Sequence, residues 1–271
     1  ASFIEYMTAQ GFDLYLVDWG VFGPEDNELS VEDAIVRLLP RMVRRALEHS
    51  EAPSLNLVSY CMGAPLSACY LATNPDVPVS SFTNMAGPID FESSGMFRTW
   101  LDAKYFDADK FVDVLGQIPP QLVQAGFKLL KPTMDMSTGL NLWWNLWNDN
   151  YVTSYKALSK WSNEYVGFPG GFFRQWVKEF YQQNRMYRGT LMLAGQPVKL
   201  EKIRCPVLVV GAKDDYIAPP ACVKALMDAV GSTDKTYFEL QGGHISLIAG
   251  RSASVHCWPK LTQWLATHEA A

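Results

Sequence analysis

The chain is poor in the residues that build metal and disulfide sites. Its five cysteines (Cys61, Cys69, Cys205, Cys222 and Cys257) are odd in number and widely scattered, and none form a Cys-x-x-Cys pair. Neither a disulfide framework nor a zinc site is indicated, so no metal is expected. A reducing, cytoplasmic setting is the simplest reading. Histidine is scarcer still, with only His49, His244, His256 and His268. No apolar run approaches the ~18 residues of a membrane span. The N-terminal stretch has no cationic start followed by an apolar core, so no secretory leader is expected. Basic blocks that could track a phosphate backbone are also missing. With 23 Lys and Arg against 28 Asp and Glu, the net charge is −5, and nucleic acid is not an expected partner. Internal repeats and low-complexity segments are absent.

Core material is plentiful. Apolar residues make up 48 % of the chain and charged residues 19 %, which argues against disorder. The 271 residues allow one large domain or two modest ones. Apolar runs alternate with amphipathic stretches in an α/β pattern. Phe12–Trp19 is expected to be a strand ending at Gly20. Ser30, with Asp33 three residues on, makes a capping-box-like helix start. Val31, Ile35, Leu38, Leu39, Met42, Val43 and Leu47 then fall at helical spacing for one buried face, and Pro40 is expected to kink that helix. Leu55–Ser59 predicts a strand, Pro65–Thr73 a helix, and Val79–Met85 a strand entering the turn Ala86-Gly87-Pro88.

From Ile89 to Arg188 the alternation stops and aromatic residues concentrate, most of the nine tryptophans among them. One reading is a helical subdomain whose large side chains make a compact core. Another is a lid over an apolar cavity, since aromatics also line ligand pockets. Alternation resumes with the strand Pro206–Gly211, the helix Pro219–Val230, the strand Thr236–Leu240 and the closing helix Val255–Ala266. The expected organisation is a core over 1–88, a cap over 89–188 inserted after the third strand, and the rest of the core over 189–271.

Three segments carry chemistry. Ser59-Tyr60-Cys61-Met62-Gly63 lies between a predicted strand and a predicted helix. It has the small-x-nucleophile-x-small form of a nucleophile elbow, with cysteine as the nucleophile. Bulk two positions from the nucleophile is expected to collide with neighbouring backbone. The following helix points its N-terminus at the sulfur and favours the thiolate, and the Met62 N–H is a candidate oxyanion donor. A simple packing turn fits the same motif. The other four cysteines read as small buried hydrophobes.

The second segment, Lys213-Asp214-Asp215, follows an apolar strand and offers Asp215 as an orienting acid, with Asp214 in reserve. A solvated acidic turn is the competing reading. The third, Gly242-Gly243-His244, also follows a strand, and His244 is the only histidine flanked by glycines in such a loop. Nucleophile, acid, histidine is the chain order of α/β-hydrolases. Cys61 would attack a carbonyl, His244 would take the thiol proton, and Asp215 would orient the imidazole.

These segments resemble the poly(3-hydroxyalkanoate) synthases. The likeness extends through Leu16-Val17-Asp18-Trp19-Gly20, Ala86-Gly87-Pro88-Ile89-Asp90-Phe91, Phe180-Tyr181-Gln182-Gln183-Asn184 and Gly250-Arg251, and is greatest to the two-subunit (class III) type. It implies an α/β-hydrolase fold with a mostly parallel sheet flanked by helices and a helical, aromatic-rich cap. It also implies polymerisation of (R)-3-hydroxyacyl units from coenzyme A thioesters through a Cys61 thioester, with His244 as base and Asp215 assisting. Coenzyme A arrives as part of the substrate, and no further cofactor is implied. The implied partners are a growing polyester chain, a second copy of the chain and a non-catalytic synthase subunit, at a cytoplasmic granule surface. Family members carry residues upstream of Asp-Trp-Gly, so N-terminal strands and the second oxyanion donor are expected outside this chain. Where the family usually has glycine, the elbow begins with Ser59. Substrate-binding residues are not identified.

A cysteine-dependent hydrolase or a polyester depolymerase remains open as an alternative, as does an inactive granule-associated scaffold. Cys61→Ala separates the classes. Under either enzyme reading it abolishes turnover in a coenzyme A release assay; under the scaffold reading it changes nothing.

Overall fold

The computed structural model describes residues 2–132 and 134–268; the side chains of 133–136, Trp161 and Ser162 lie outside that description. A short helix, α1 (Phe3–Ala9), precedes the second helix, whose π-helical turn Asp33–Leu38 leads into α2 (Leu39–Ser50). The predicted capping box is present: Ser30 N–H donates to Asp33 Oδ2 at 2.9 Å, and Asp33 N–H donates to Ser30 Oγ at 3.0 Å. Pro40 has no N–H to give to the preceding turn. The ladder widens beside it, and Leu39 N–H reaches back five residues to the Ala34 carbonyl.

The central motif follows as β1 (Leu55–Tyr60), α3 (Gly63–Thr73) and β2 (Val79–Met85). The chain then runs through α4 (Met96–Trp100), α5 (Ala108–Leu115), α6 (Pro120–Leu130), α7 (Met134–Trp144), α8 (Asp149–Asn163) and α9 (Gly170–Gln175), which continues as a π-helical stretch, Trp176–Gln182. A two-residue hairpin, β3 (Met192–Leu193) and β4 (Gln196–Pro197), was not indicated by the sequence pattern. The remaining elements are β5 (Val207–Ala212), α10 (Pro220–Lys224), α11 (Leu226–Ala229), β6 (Lys235–Leu240), α12 (Gly250–Ser252) and α13 (Trp258–Ala266).

Strands β1, β2, β5 and β6 form a four-stranded sheet in that order, with every pairing parallel. Parallel strands joined by helices bury both faces, and strand alternation sorts the side chains. Val207 and Val209 point into the layer shared with α2 and α3, whereas Leu208, Val210 and Ala212 point toward α1 and α13. These residues are fully buried, and each large aliphatic side chain so placed contributes about 1.5–3 kcal/mol.

Phe12–Trp19 does not form the expected strand. A strand needs a neighbour to close its ladder, and among the described residues β1 is paired with β2 alone. The segment has no regular secondary structure: Phe12 and Leu14 pack toward α13, Trp19 packs on the opposite layer, and Leu16 and Val21 are exposed. The helical stretch therefore follows the second strand of the sheet, not the third.

The aromatic residues of that stretch range from buried to exposed, many of them half-buried. Phe91, Trp176, Phe180 and Tyr181 are buried in the core layer beside α3; Phe91 lies 4.9 Å from Tyr181 and 5.4 Å from Trp176, edge to face in both pairs. Trp143, Trp144 and Trp147 are exposed. The stretch is fastened at its base by Asn184, which is buried at a φ of 49°. Its Oδ1 accepts from Phe91 N–H at 3.1 Å, and its Nδ2 donates to Asp90 Oδ1 at 2.7 Å.

Candidate active site

The carboxyl ends of the parallel strands carry the three segments singled out above. Cys61 follows β1 directly and adopts a φ of 53°, a left-handed conformation that costs a non-glycine residue roughly 1–2 kcal/mol. The surrounding structure holds it there. Cys61 N–H extends the sheet ladder to the Met85 carbonyl at 2.9 Å, and the Cys61 carbonyl accepts from Ala64 N–H at 3.1 Å. Helix α3 begins two residues later, so the Met62 N–H lies at its open N-terminal end.

The steric requirement falls on a different glycine from the one expected. A Cβ on Gly63 would meet nothing within 4 Å. A Cβ on Gly87 would lie 2.2 Å from the Ala64 Cβ and 2.8 Å from the Cys61 carbonyl oxygen. Gly87 is the residue that lets the turn after β2 press against the elbow. Asn84, fully buried, fixes that turn by accepting from Gly87 N–H at 2.8 Å and donating to the Gly87 carbonyl at 3.0 Å. Ser59, in the position where glycine is usual, puts its hydroxyl 2.7 Å from that of Ser67 and so ties β1 to α3.

Asp215 and His244 come together across the ends of β5 and β6. Asp215 Oδ1 accepts from the N–H groups of Ile217 and Ala218 at 2.8 and 2.9 Å. Its Oδ2 lies 2.7 Å from His244 Nδ1; an ionised carboxylate only accepts, so Nδ1–H donates. Asp214 is turned away and exposed, accepting from Gly242 N–H at 3.3 Å. The geometry therefore pairs His244 with Asp215 and not with Asp214.

His244 is buried, and its Nε2 makes no full hydrogen bond. Burial works against the charged ring, but the negative charge of a Cys61 thiolate and the bond to Asp215 outweigh it. The imidazole is pushed up to about 10. Cys61 itself is half-buried. The remaining thiols are held in the acid form: burial pushes Cys205 up to about 11 and Cys257 up to about 12, and raises Cys69 and Cys222 as well.

Two features had no signal in the sequence beyond their position. Tyr60 lies against the His244 ring, and Asn84 organises the turn at Gly87. Among the described residues no group of three or more His, Cys, Asp or Glu could hold a metal ion, and no helix is long and apolar enough to cross a membrane.

Two substitutions test this geometry. Gly87→Ala should destabilise the protein by about 1–3 kcal/mol through overpacking, while Gly63→Ala stays close to wild type; thermal denaturation distinguishes them. Asp215→Asn removes one of the contacts favouring the imidazolium, so the His244 titration should move down from about 10, as read by NMR. The stability difference between wild type and variant should be fully present below the ordinary histidine value of about 6.5. It should fade as pH rises through the native value.

Comparison with known proteins bears on the fold and the family. The family model for the alpha/beta hydrolase fold matches residues 1–250. A poly(3-hydroxyalkanoate) polymerase subunit PhaC from Haloferax mediterranei is 29% identical over 98% of this chain, which spans 54% of that protein's length. The PhaC subunit from Allochromatium vinosum is 32% identical over 97% of this chain, which spans 74% of it. Among solved structures, a monoacylglycerol lipase from Paleococcus ferrophilus superimposes with a TM-score of 0.60 over 98% of this chain and 88% of its own, at 18% identity. The chain thus has the α/β-hydrolase fold, and belongs within it to the poly(3-hydroxyalkanoate) polymerase PhaC family.

Proposed function

We propose that the chain joins (R)-3-hydroxyacyl units, delivered as coenzyme A thioesters, into a polyester. Cys61 is the nucleophile, His244 the general base, Asp215 the residue that orients it, and the Met62 N–H an oxyanion donor. The observation that carries this reading is the buried Asp215–His244 contact of 2.7 Å beside a cysteine held in an elbow conformation, in a chain with PhaC relatives along nearly its whole length.

The Cys61 thiolate attacks the thioester carbonyl, and the negative charge on oxygen is met by the Met62 N–H. Collapse expels the coenzyme A thiolate, which takes the proton held by His244, and leaves the acyl unit on sulfur. Exchange of one thioester for another is close to thermoneutral, so the Cys61 acyl group stays reactive. The 3-hydroxyl of a second unit then attacks that carbonyl. His244 takes the hydroxyl proton, returns it to the Cys61 sulfur as the carbon–sulfur bond breaks, and an oxoester results. That step runs downhill from a thioester. Asp215 fixes the Nδ1–H tautomer throughout and leaves Nε2 to carry the proton.

Water must be excluded, because it competes for the same acyl group; the aromatic-rich helices between residues 89 and 188 are proposed as the lid. The relatives' description as subunits supports a second, non-catalytic component, and a second copy of this chain is proposed as a further partner. The proposed setting is the cytoplasmic surface of a polyester granule.

The test is incubation of the protein, with its native flanking sequence, with (R)-3-hydroxybutyryl-coenzyme A, followed by free-thiol assay and mass spectrometry of Cys61. Thiol release, an acyl adduct on Cys61 and insoluble polyester are expected. Release of free 3-hydroxybutyrate without polymer would replace the synthase with a hydrolase. No thiol release and an unmodified Cys61 would remove the catalytic reading for this substrate.

A further inference from the structure

Tyr60 closes β1 and immediately precedes Cys61. Strand alternation sends its side chain to the face opposite Ser59. Ser59 bonds Ser67 on α3, while Tyr60 packs with the layer containing Leu247 and Trp258. That is the side on which the His244 turn lies. The phenol meets His244 twice. Its hydroxyl donates to the His244 carbonyl at 3.3 Å, and its ring sits 4.9 Å from the imidazole, centroid to centroid, at 46°.

From this geometry we infer that Tyr60 is the positioning residue for His244, holding the backbone of the loop with its hydroxyl and bracing the imidazole with its ring. The inference rests on the triad reading above. One covalent step separates Tyr60 from Cys61, so the contact makes a short link between proposed nucleophile and proposed base. Asp215 fixes His244 only at Nδ1, and a single hydrogen bond leaves the ring free to swing about that bond. A second contact on the ring face removes that freedom and keeps Nε2 in place. The carbonyl contact stops the Gly242-Gly243 turn, where Gly242 has a φ of 110°, from carrying the histidine away. Burial raises the Tyr60 phenol, as do the charges of Cys61 and Asp215, so the hydroxyl remains a donor while the site works.

The test compares Tyr60→Phe and Tyr60→Leu with wild type in protein carrying isotope-labelled histidine, with His244→Gln used to assign the His244 signal. Two quantities are read: the His244 titration midpoint by NMR, and the rate of Cys61 alkylation by iodoacetamide at neutral pH. Tyr60→Phe loses only the hydroxyl. It should lower the midpoint and slow alkylation by about three- to tenfold, the worth of one hydrogen bond. Tyr60→Leu loses the ring as well, and its midpoint should fall further toward the ordinary histidine value. A merely structural role would lower thermal stability and leave the midpoint where it is; that result in Tyr60→Phe overturns the proposal, even if Tyr60→Leu fails to fold. A His244→Gln protein whose Cys61 is alkylated as fast as in wild type would instead overturn the triad reading, and this inference with it.

Discussion

The site depends on one left-handed residue. At Cys61 the chain must leave a parallel strand and enter a helix almost at once, and a φ of 53° is the conformation that does it. The strain is local, but the forces that hold it are not. The ladder bond to Met85 draws on β2, and the close approach of Gly87 draws on the turn that Asn84 organises. The Ser59–Ser67 contact draws on α3. Each of these rests in turn on a sheet buried on both faces. A displaced β2 would relax the elbow before it exposed the core.

Burial holds Cys69, Cys205, Cys222 and Cys257 protonated; backbone hydrogen bonds at Cys205 and Cys222 and the Lys260 charge at Cys257 offset it only in part. Cys61 is half-buried and acts on a histidine that already donates to a carboxylate. The carboxylate is itself anchored by two backbone N–H groups, so it cannot follow the imidazole if the ring moves. Rigidity is thus built inward, from the Ile217 and Ala218 backbone through Asp215 to His244. The proposed proton carrier is held at Nδ1 by a fixed series, with Tyr60 against its ring.

Much of this was legible in the sequence, for identifiable reasons. Apolar runs bounded by turn residues located β1, β2, β5 and β6 closely, because buried parallel strands are continuous in hydrophobicity. The order of Cys61, Asp215 and His244, each after a strand, was enough to bring them to one end of the sheet. What escaped was whatever depends on a neighbour. Phe12–Trp19 has the composition of a strand, but pairing is a property of two segments, and the sequence of one cannot supply the other. Gly63 fits the elbow motif, yet the crowding is at Gly87, which lies beyond β2. The sequence already favours Asp215 over Asp214, and the bond to His244 falls to Asp215. Tyr60 lies inside the motif but faces away from the helix that the motif describes.

Asn184 has a consequence for how such proteins can change. By bonding to both Asp90 and Phe91, it brings the two ends of the helical stretch together, while Gln117, Gly171 and Gln175 also bond back to residues 22–32. What lies between is then a closed loop in the polymer sense. The entropy of closing a loop grows only with the logarithm of its length, about 0.6 kcal/mol for each doubling. Length can therefore be gained or lost between these ties with little penalty to the sheet. The elbow and the segments between those ties become separate units of variation: the first is constrained atom by atom, and the second is free to be resized.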